Sequence, residues 1–535
     1  MDHLQSKMGW EIVEEEWPDF KGKIYAQRPF SLNEMLEKTV AAYPETVGFL
    51  SDERRLTFAA FDEMSDRIAA AFQDRGVGKG DRVAMLLGIG VEFPLTFFAL
   101  MKIGAIAVPL NTRFKGEELA YEIDDSESKL LVVDAEYWAS IEPVLSDLKS
   151  VESVFYNGPD VPAGVLSFEE LREFTSRDFI KATPRETDDA VIVYTSGTTG
   201  KPKGAILHHR GMVASAMHIS DFHQFDRTDK TLCCVPLFHV TGLAMIMLSH
   251  IYAGIPCFYM RTFSTKRFLE TMSGEKITKI ISVINIIWLM VNHPDFPNYD
   301  FSHYKASMCG GSPATTEMIS GIMRKLPHLR ISVGYGLTES TGAETSTPWE
   351  DALRKIEGVG KPFETVDAKI VNENGEELPA NGVGEILLRS PKVMKGYWKK
   401  PEATRATIRD GWLYTGDIGK LDEEGFLYIL DRKKDMINRG GEKVYSLEVE
   451  NVISTYDKVL EVSVVSVPDK IMGEAVKAAV VLMPGQQSTE EEIRSHCSAH
   501  LADYKVPKYV EFMEALPRNP AGKVVKNDLR YIPKS

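Results

Sequence analysis

Between residues 32 and 135, helix-period stretches alternate with short apolar runs, and this constrains the fold more than any other feature. Residues 58–73 and 91–102 read as helices, and 82–87 and 106–110 as strands. Short strands with helices between them run parallel, because an antiparallel return needs only a turn. A second stretch of this kind begins at Asp188, where the apolar run 190–194 reads as a buried strand. From 359 to 428 the texture changes to short β-type runs at 368–371, 385–389 and 426–430. NENGEE, ANGVG and DEEG turns separate them, as in a compact, mostly antiparallel β subdomain. Beyond the basic run 431–435, helices at 446–454 and 489–501 and strands at 461–467 and 475–482 make a small α+β unit. The expected fold class is therefore α/β. A large N-terminal domain over 1–430 holds two α/β subdomains and a β subdomain, 431–435 is the boundary, and a small α+β domain fills 436–535.

At 535 residues the chain exceeds one ordinary domain. Its net charge of −15 repels nucleic acid and anionic membrane, so any polyanionic ligand must be held by local devices. The five cysteines are odd in number and lack metal-ligand spacing, which reads as free thiols in a reducing compartment. The acidic start resembles neither a signal nor a transit peptide, and the end YIPKS carries no targeting address. The most apolar stretch, 242–260, is broken by Ser249, His250, Gly254 and Pro256 into a buried helix and a strand-like run. The expected location is the cytoplasm.

The run YTSGTTGKPKG at 194–204 follows the strand at 190–194 directly. Gly197, Gly200 and Gly204 let backbone N–H groups converge on an anion. Thr195, Ser196, Thr198 and Thr199 add hydroxyl donors, and Lys201 and Lys203 add charge. The combination suits a triphosphate. It is not a Walker loop, because only two residues separate Gly197 from Gly200 and Pro202 follows Lys201.

Further motifs follow in order: YGLTE at 335–339, YTGD at 414–417, Asp431-Arg432 with Gly440-Gly441, and PRNPAGK at 517–523. With the glycine-rich run, they make the chain resemble, over nearly its whole length, the adenylate-forming enzymes. That superfamily includes acyl-CoA synthetases, aryl-CoA ligases, adenylation domains of peptide synthetases and beetle luciferases. The pattern is most similar to that of the fatty-acid and acyl-CoA ligases. The resemblance implies that Lys523 bridges carboxylate and phosphate during adenylation. It also implies that Glu339 binds Mg²⁺ and that Thr338 contacts the α-phosphate. Tyr335 would stack on adenine beside Gly336 and Gly311. Asp417 would accept from both ribose hydroxyls, and Arg432 would hold the ribose or phosphate. Lys434 takes the hinge position about which the mobile C-terminal domain rotates between half-reactions. Gly440 and Gly441 would line the thiol tunnel.

The segment PLFHVTG at 236–242 resembles the one beside the acyl pocket, where His239 reads either as a gate or as an ordinary core histidine. MCGGSP at 308–313 resembles another pocket wall, with Gly310 and Gly311 admitting the acyl group near backbone. The apolar run 283–291, with Trp288, reads as core or as the far end of that pocket. The resemblance implies an acid–thiol ligase that forms acyl-AMP from a fatty or aromatic monocarboxylic acid and ATP, then acyl-CoA from coenzyme A. Its partners would be those small molecules and Mg²⁺, with no nucleic acid and no spanning helix, in a monomer or homodimer. Loading of a carrier-protein thiol stays open. Amino-acid-activating relatives place an Asp where this chain has PLFHVTG, which argues against an amino acid. A luciferase-like oxygenase is a minor alternative, since luciferases carry lysine where this chain has Asn438.

Overall fold

The computed structural model describes residues 5–18, 20–176, 178–195, 201–311, 314–518 and 524–531. They fall into two compact units, 1–368 with 388–413, and 369–387 with 414–535. This division sets 369–387 and 414–430 with the C-terminal unit, whereas the sequence pattern groups them with 1–430. Strand pairing accounts for the difference. Leu427–Arg432 lies antiparallel to Trp412–Leu421 and runs straight into the basic segment, so no break in packing separates them.

The first unit bears out the alternation. Helices form at Phe58–Asp74 and Glu92–Ile103, and strands at Arg82–Leu86 and Ile106–Pro109. Thr57 caps the first helix by accepting from the Ala60 N–H, and Phe58, Phe61, Ile68 and Phe72 form its buried stripe. The second helix is buried at nearly every residue and ends at Gly104 with φ +72°. These elements build an eight-stranded sheet in the order Gly396–Tyr397, Lys203–His208, Asp189–Thr195, Ile106–Pro109, Arg82–Leu86, Ser128–Asp134, Ser153–Asn157, Leu166–Ser167. From Asp189–Thr195 onward the pairs are parallel, and the two strands before it are antiparallel. Helices cover such a sheet on both faces, which is why its central strands are continuous Val, Ile, Leu and Met runs.

A five-stranded sheet in the same unit runs Lys279–Ser282, Ala306–Cys309, Arg330–Leu337, Gly342–Ser346, Lys361–Pro362. Its first three strands are parallel and the rest antiparallel. The helix His209–His223 is buried at all of its residues. The stretch 242–260 folds as a π-helical segment Thr241–Met247, the helix Leu248–Ala253 and the strand Cys257–Tyr259. Among the described residues, no helix is long and apolar enough to cross a membrane. All five cysteines are buried and free.

In the second unit, the strands Val459–Asp469 and Gly473–Leu482 pair antiparallel, with the helices Ser446–Ser454 and Glu490–His500 against them. The fully buried Lys477 donates to the carbonyls of Leu529 and Tyr531, both at 3.0 Å, and pairs with Glu511 at 2.6 Å. It thereby ties the last described segment to the sheet. Lys477→Met strands these acceptors, and we expect it to lower stability by about 3 kcal/mol. Urea unfolding checks the size, and amide exchange over 524–531 should quicken first.

Candidate active site

The two strands that flank the glycine-rich run pair as a hairpin. Asp189–Thr195 and Lys203–His208 are antiparallel, with Thr195 opposite Lys203 and Tyr194 opposite Gly204. Gly204 fits because a Cβ there would press on the Ile192 side chain. Ser196, Gly197, Thr198, Thr199 and Gly200 fall outside the described residues. Both roots of the hairpin are held from the helix Glu117–Ser126. The Tyr121 hydroxyl donates to the Pro202 carbonyl at 3.1 Å, and the Lys201 ammonium stands 4.8 Å above the Tyr121 ring. The Tyr194 hydroxyl donates to Asp125 at 2.8 Å. Between Tyr121 and Asp125, Glu122 is buried, and its Oε2 has no hydrogen-bond partner among the described residues. Burial first, then the charges of Glu118 and Asp125, push its carboxyl up to about 8.

The YGLTE run forms a second hairpin. Arg330–Leu337 passes through a 3₁₀ turn, Thr338–Ser340, and returns as Gly342–Ser346. Tyr335 is buried near the end of the first strand. Gly336 faces Ala343, and a Cβ at 336 would collide with the Gly342 carbonyl. Thr338 opens the turn, its carbonyl accepting from the Thr341 N–H at 3.0 Å. Thr341 takes φ +54°. Beside this hairpin ends the strand Ala306–Cys309. A Cβ on Gly310 would sit 3.0 Å from the Gly334 carbonyl, and Gly311 turns with φ +74° into open space. Gly310 thus owes its identity to the neighbouring strand. His239 is half-buried just before the π-helical segment, its ring 4.5 Å from that of Phe238. That segment touches the hairpin through Met245, whose side chain lies 3.0 Å from where a Cβ of Gly342 would stand. Trp288 is half-buried and packs on Gly321 of the helix Thr316–Lys325.

What joins the two hairpins is a segment without a motif in the sequence, residues 390–398. The Met394 N–H donates to the Glu339 carbonyl at 2.8 Å, and the Tyr397 hydroxyl donates to Glu339 Oε1 at 2.7 Å. The same segment gives its Lys395 and Trp398 N–H groups to the Ile206 and Gly204 carbonyls, at 3.0 and 2.7 Å. The Lys203 ammonium lies 4.3 Å over the Tyr397 ring, so one tyrosine touches both motifs. The Val393 carbonyl meets His208 Nε2 at 3.1 Å. His208 Nδ1 accepts from the Gly211 N–H at 2.8 Å, which leaves the proton on Nε2. Lys201, Lys203, Tyr335, Gly336, Thr338, Glu339 and Tyr397 therefore belong to one framework. Its only sequence signal is KGYW, an aromatic pair after a glycine that also reads as an edge strand.

In the second unit, Asp417 faces Arg432 across an antiparallel pair, with 3.5 Å between carboxylate and guanidinium. Asp417 is buried and Arg432 half-exposed. The basic run is anchored on one side: Asp431 accepts from the N–H and hydroxyl of Ser446, and Asp435 pairs with Arg530 at 2.8 Å. Lys434 stands between them and is exposed, its carbonyl meeting Arg530 at 3.4 Å. Gly440 and Gly441 have φ +62° and +98° and form the two-residue turn that joins Ile437–Arg439 to Glu442–Val444. A turn with positive φ at both centres calls for this pair. Lys523 falls outside the described residues. Around it, Arg518 and Val524 make an antiparallel bridge, and the Val525 N–H donates to the Pro517 carbonyl at 2.8 Å.

Comparison with known proteins decides the family. The profile of the family described as AMP-binding enzyme matches residues 36–398. The chain belongs to the AMP-binding enzymes. A second profile, that of the AMP-binding enzyme C-terminal domain, matches 448–523. Long-chain-fatty-acid–CoA ligase FadD13 of Mycobacterium tuberculosis is 34% identical over 498 residues, covering 93% of this chain and 97% of that protein. The 2-succinylbenzoate–CoA ligase of Bacillus anthracis is 34% identical over 91% of this chain and 96% of its own. The ATP-bound structure of MatB from Rhodopseudomonas palustris superposes with a TM-score of 0.85 at 30% identity, covering 93% and 98%. This AMP-binding enzyme is an acid–thiol ligase of the adenylate-forming superfamily.

The Glu122 carboxyl yields a pH test. Its native pKa lies above the unfolded value of 4.5, so the native state keeps a proton that the unfolded chain has lost. Stability from this group is complete below pH 4.5 and falls as pH rises toward about 8. Glu122→Gln removes that titration. The melting temperature of the variant relative to wild type should rise steadily between pH 5 and 8.

Proposed function

We propose that this enzyme condenses a monocarboxylic acid with ATP to acyl-AMP and pyrophosphate, then transfers the acyl group to the thiol of coenzyme A. The observation that carries the reading is the meeting of Lys203, Tyr397 and Glu339 in one framework of two hairpins. An arrangement with cations on one hairpin and a hard carboxylate oxygen on the other suits a metal-bound polyphosphate.

A carboxylate oxygen attacks the α-phosphate, and the bond from that phosphorus to pyrophosphate breaks. Both partners are anions, and two unit charges ~4 Å apart repel by about 4 kcal/mol at an effective dielectric of ~20. Lys201, Lys203 and the hydroxyls of the glycine-rich loop would offset this along the phosphates. Lys523 would do so between carboxylate and α-phosphate. Glu339, with one oxygen oriented by Tyr397, offers its other oxygen to Mg²⁺, which when bound supplies charge neutralisation to the phosphates. Thr338 adds a hydroxyl near the α-phosphate, Tyr335 an aromatic face for adenine, and Gly336 and Gly311 close backbone. Asp417 and Arg432 would take the ribose, since a carboxylate can accept from two hydroxyls.

In the second half-reaction the CoA sulfur attacks the acyl carbon and AMP leaves. Rotation about Lys434 would withdraw Lys523 and bring up the turn at Gly440-Gly441. The acid is proposed to be fatty or aromatic. Phe238 and Met308, in the segments likened to pocket walls, are apolar and buried, and those segments carry no Lys or Arg. The name of one relative, for a long-chain fatty acid, accords with the fatty class, while 2-succinylbenzoate, in the name of the other, is aromatic but carries a second carboxylate.

An ATP–pyrophosphate exchange screen over short, medium, long and aryl acids, followed by CoA addition, tests the reading. Exchange with no acid would defeat it. With the best acid, Lys523→Ala should abolish exchange while ATP still binds, and near-normal exchange would remove Lys523 from its assigned role.

A further inference from the structure

The segment 390–398 carries a feature that the chemistry above does not use. Lys392 and Glu344 form an ion pair at 3.2 Å, and neither side chain has any exposure to solvent. Glu344 lies on the returning strand of the YGLTE hairpin, and its Oε1 accepts from the Ser390 hydroxyl at 2.7 Å. Lys392 also donates to the Ala343 carbonyl, and its own carbonyl accepts from the Thr341 hydroxyl at 2.6 Å. The Phe363 ring, 5.5 Å from the ammonium, covers the pair together with the buried imidazole of His218, which stacks on that ring at 4.9 Å. Burying two charges is costly, and a well-packed apolar pair of similar volume commonly serves stability as well or better. What the charged pair adds is direction. A carboxylate hydrogen-bonded to Ser390 and ion-paired with Lys392, and an ammonium that also donates to the Ala343 carbonyl, find these partners together in one register only.

A shift of the segment by one residue would move Tyr397 away from Glu339, and the N–H groups of Lys395 and Trp398 away from the phosphate hairpin. We propose that Lys392 and Glu344 are positioning residues that set the register of 390–398, and through it the placing of Glu339 and Tyr397 for the nucleotide. The inference rests on the nucleotide reading above.

The test is direct binding, independent of the acid and of turnover. Wild type, Glu344→Gln, Lys392→Met, the double variant Glu344→Leu/Lys392→Met and Tyr397→Phe are titrated calorimetrically with α,β-methylene-ATP and Mg²⁺. Melting temperatures are measured in parallel. The double variant should melt near wild type yet bind the nucleotide about tenfold more weakly, since small misplacements in a preorganised site cost such factors. Tyr397→Phe, which keeps the ion pair, should weaken binding similarly at unchanged melting temperature. Wild-type binding in the double variant would overturn the proposal, as would affinity lost in step with melting temperature across the ion-pair variants. Glu339→Ala separates the two readings. Wild-type affinity in that variant would overturn the nucleotide reading itself, whatever the ion-pair variants do.

Discussion

The framework of the site depends on one set of main-chain contacts, those that residues 390–398 make with two hairpins far apart in the chain. On one side the segment gives N–H groups to Gly204 and Ile206, and on the other to Glu339. The YGLTE turn is a single 3₁₀ turn closed by a residue at positive φ, with few contacts of its own to fix where it points. Hydrogen bonds to a shared third strand convert two local turns into one surface. Bonds of this kind contribute only about 1 kcal/mol each, so their value lies in geometry more than in stability.

The same contacts resolve an electrostatic difficulty. A chain with net charge −15 must concentrate positive potential locally to hold a polyphosphate. The hairpin lysines are placed over aromatic faces, Lys201 on Tyr121 and Lys203 on Tyr397, where a ring steadies an ammonium without neutralising it. Carboxylates close by are occupied: Asp125 by Tyr194, and Glu339 by Tyr397. Glu122, between Tyr121 and Asp125 on the same helix, is driven toward its neutral form by burial. Under the proposed chemistry, negative charge near the phosphates is thus either tied up or removed, apart from the oxygen assigned to the metal.

Much of this was legible in the sequence, for identifiable reasons. Parallel strands buried on both faces must be unbroken apolar runs, so 82–87 and 106–110 could be found from composition and period alone. The small α+β unit was equally plain, because the helices and strands of 446–501 keep clean periods and have turn residues between them. The ordered motifs pointed to the family that the comparisons show. The return of the glycine-rich loop as an antiparallel strand was not visible, since 203–208 is short and begins with a lysine and a glycine. Residues 390–398 were missed for a deeper reason: their role lies in main-chain bonds and in one tyrosine hydroxyl, and neither leaves a composition signal. Gly440 and Gly441 show the converse. The pair was noticed for a proposed channel, while the structure supplies a local cause in a two-residue turn that needs both glycines.

The central claim is that the acid is activated by attack of its own oxygen on the α-phosphate of ATP. The most direct measurement follows that oxygen. The acid that supports the fastest pyrophosphate exchange is prepared with ¹⁸O in its carboxyl group and given to the enzyme with ATP and CoA, and the products are weighed by mass spectrometry. Attack by the carboxylate oxygen predicts that one labelled oxygen per turnover appears in AMP, with none in pyrophosphate. Label in inorganic phosphate, or acyl-CoA formed without label reaching AMP, would contradict it.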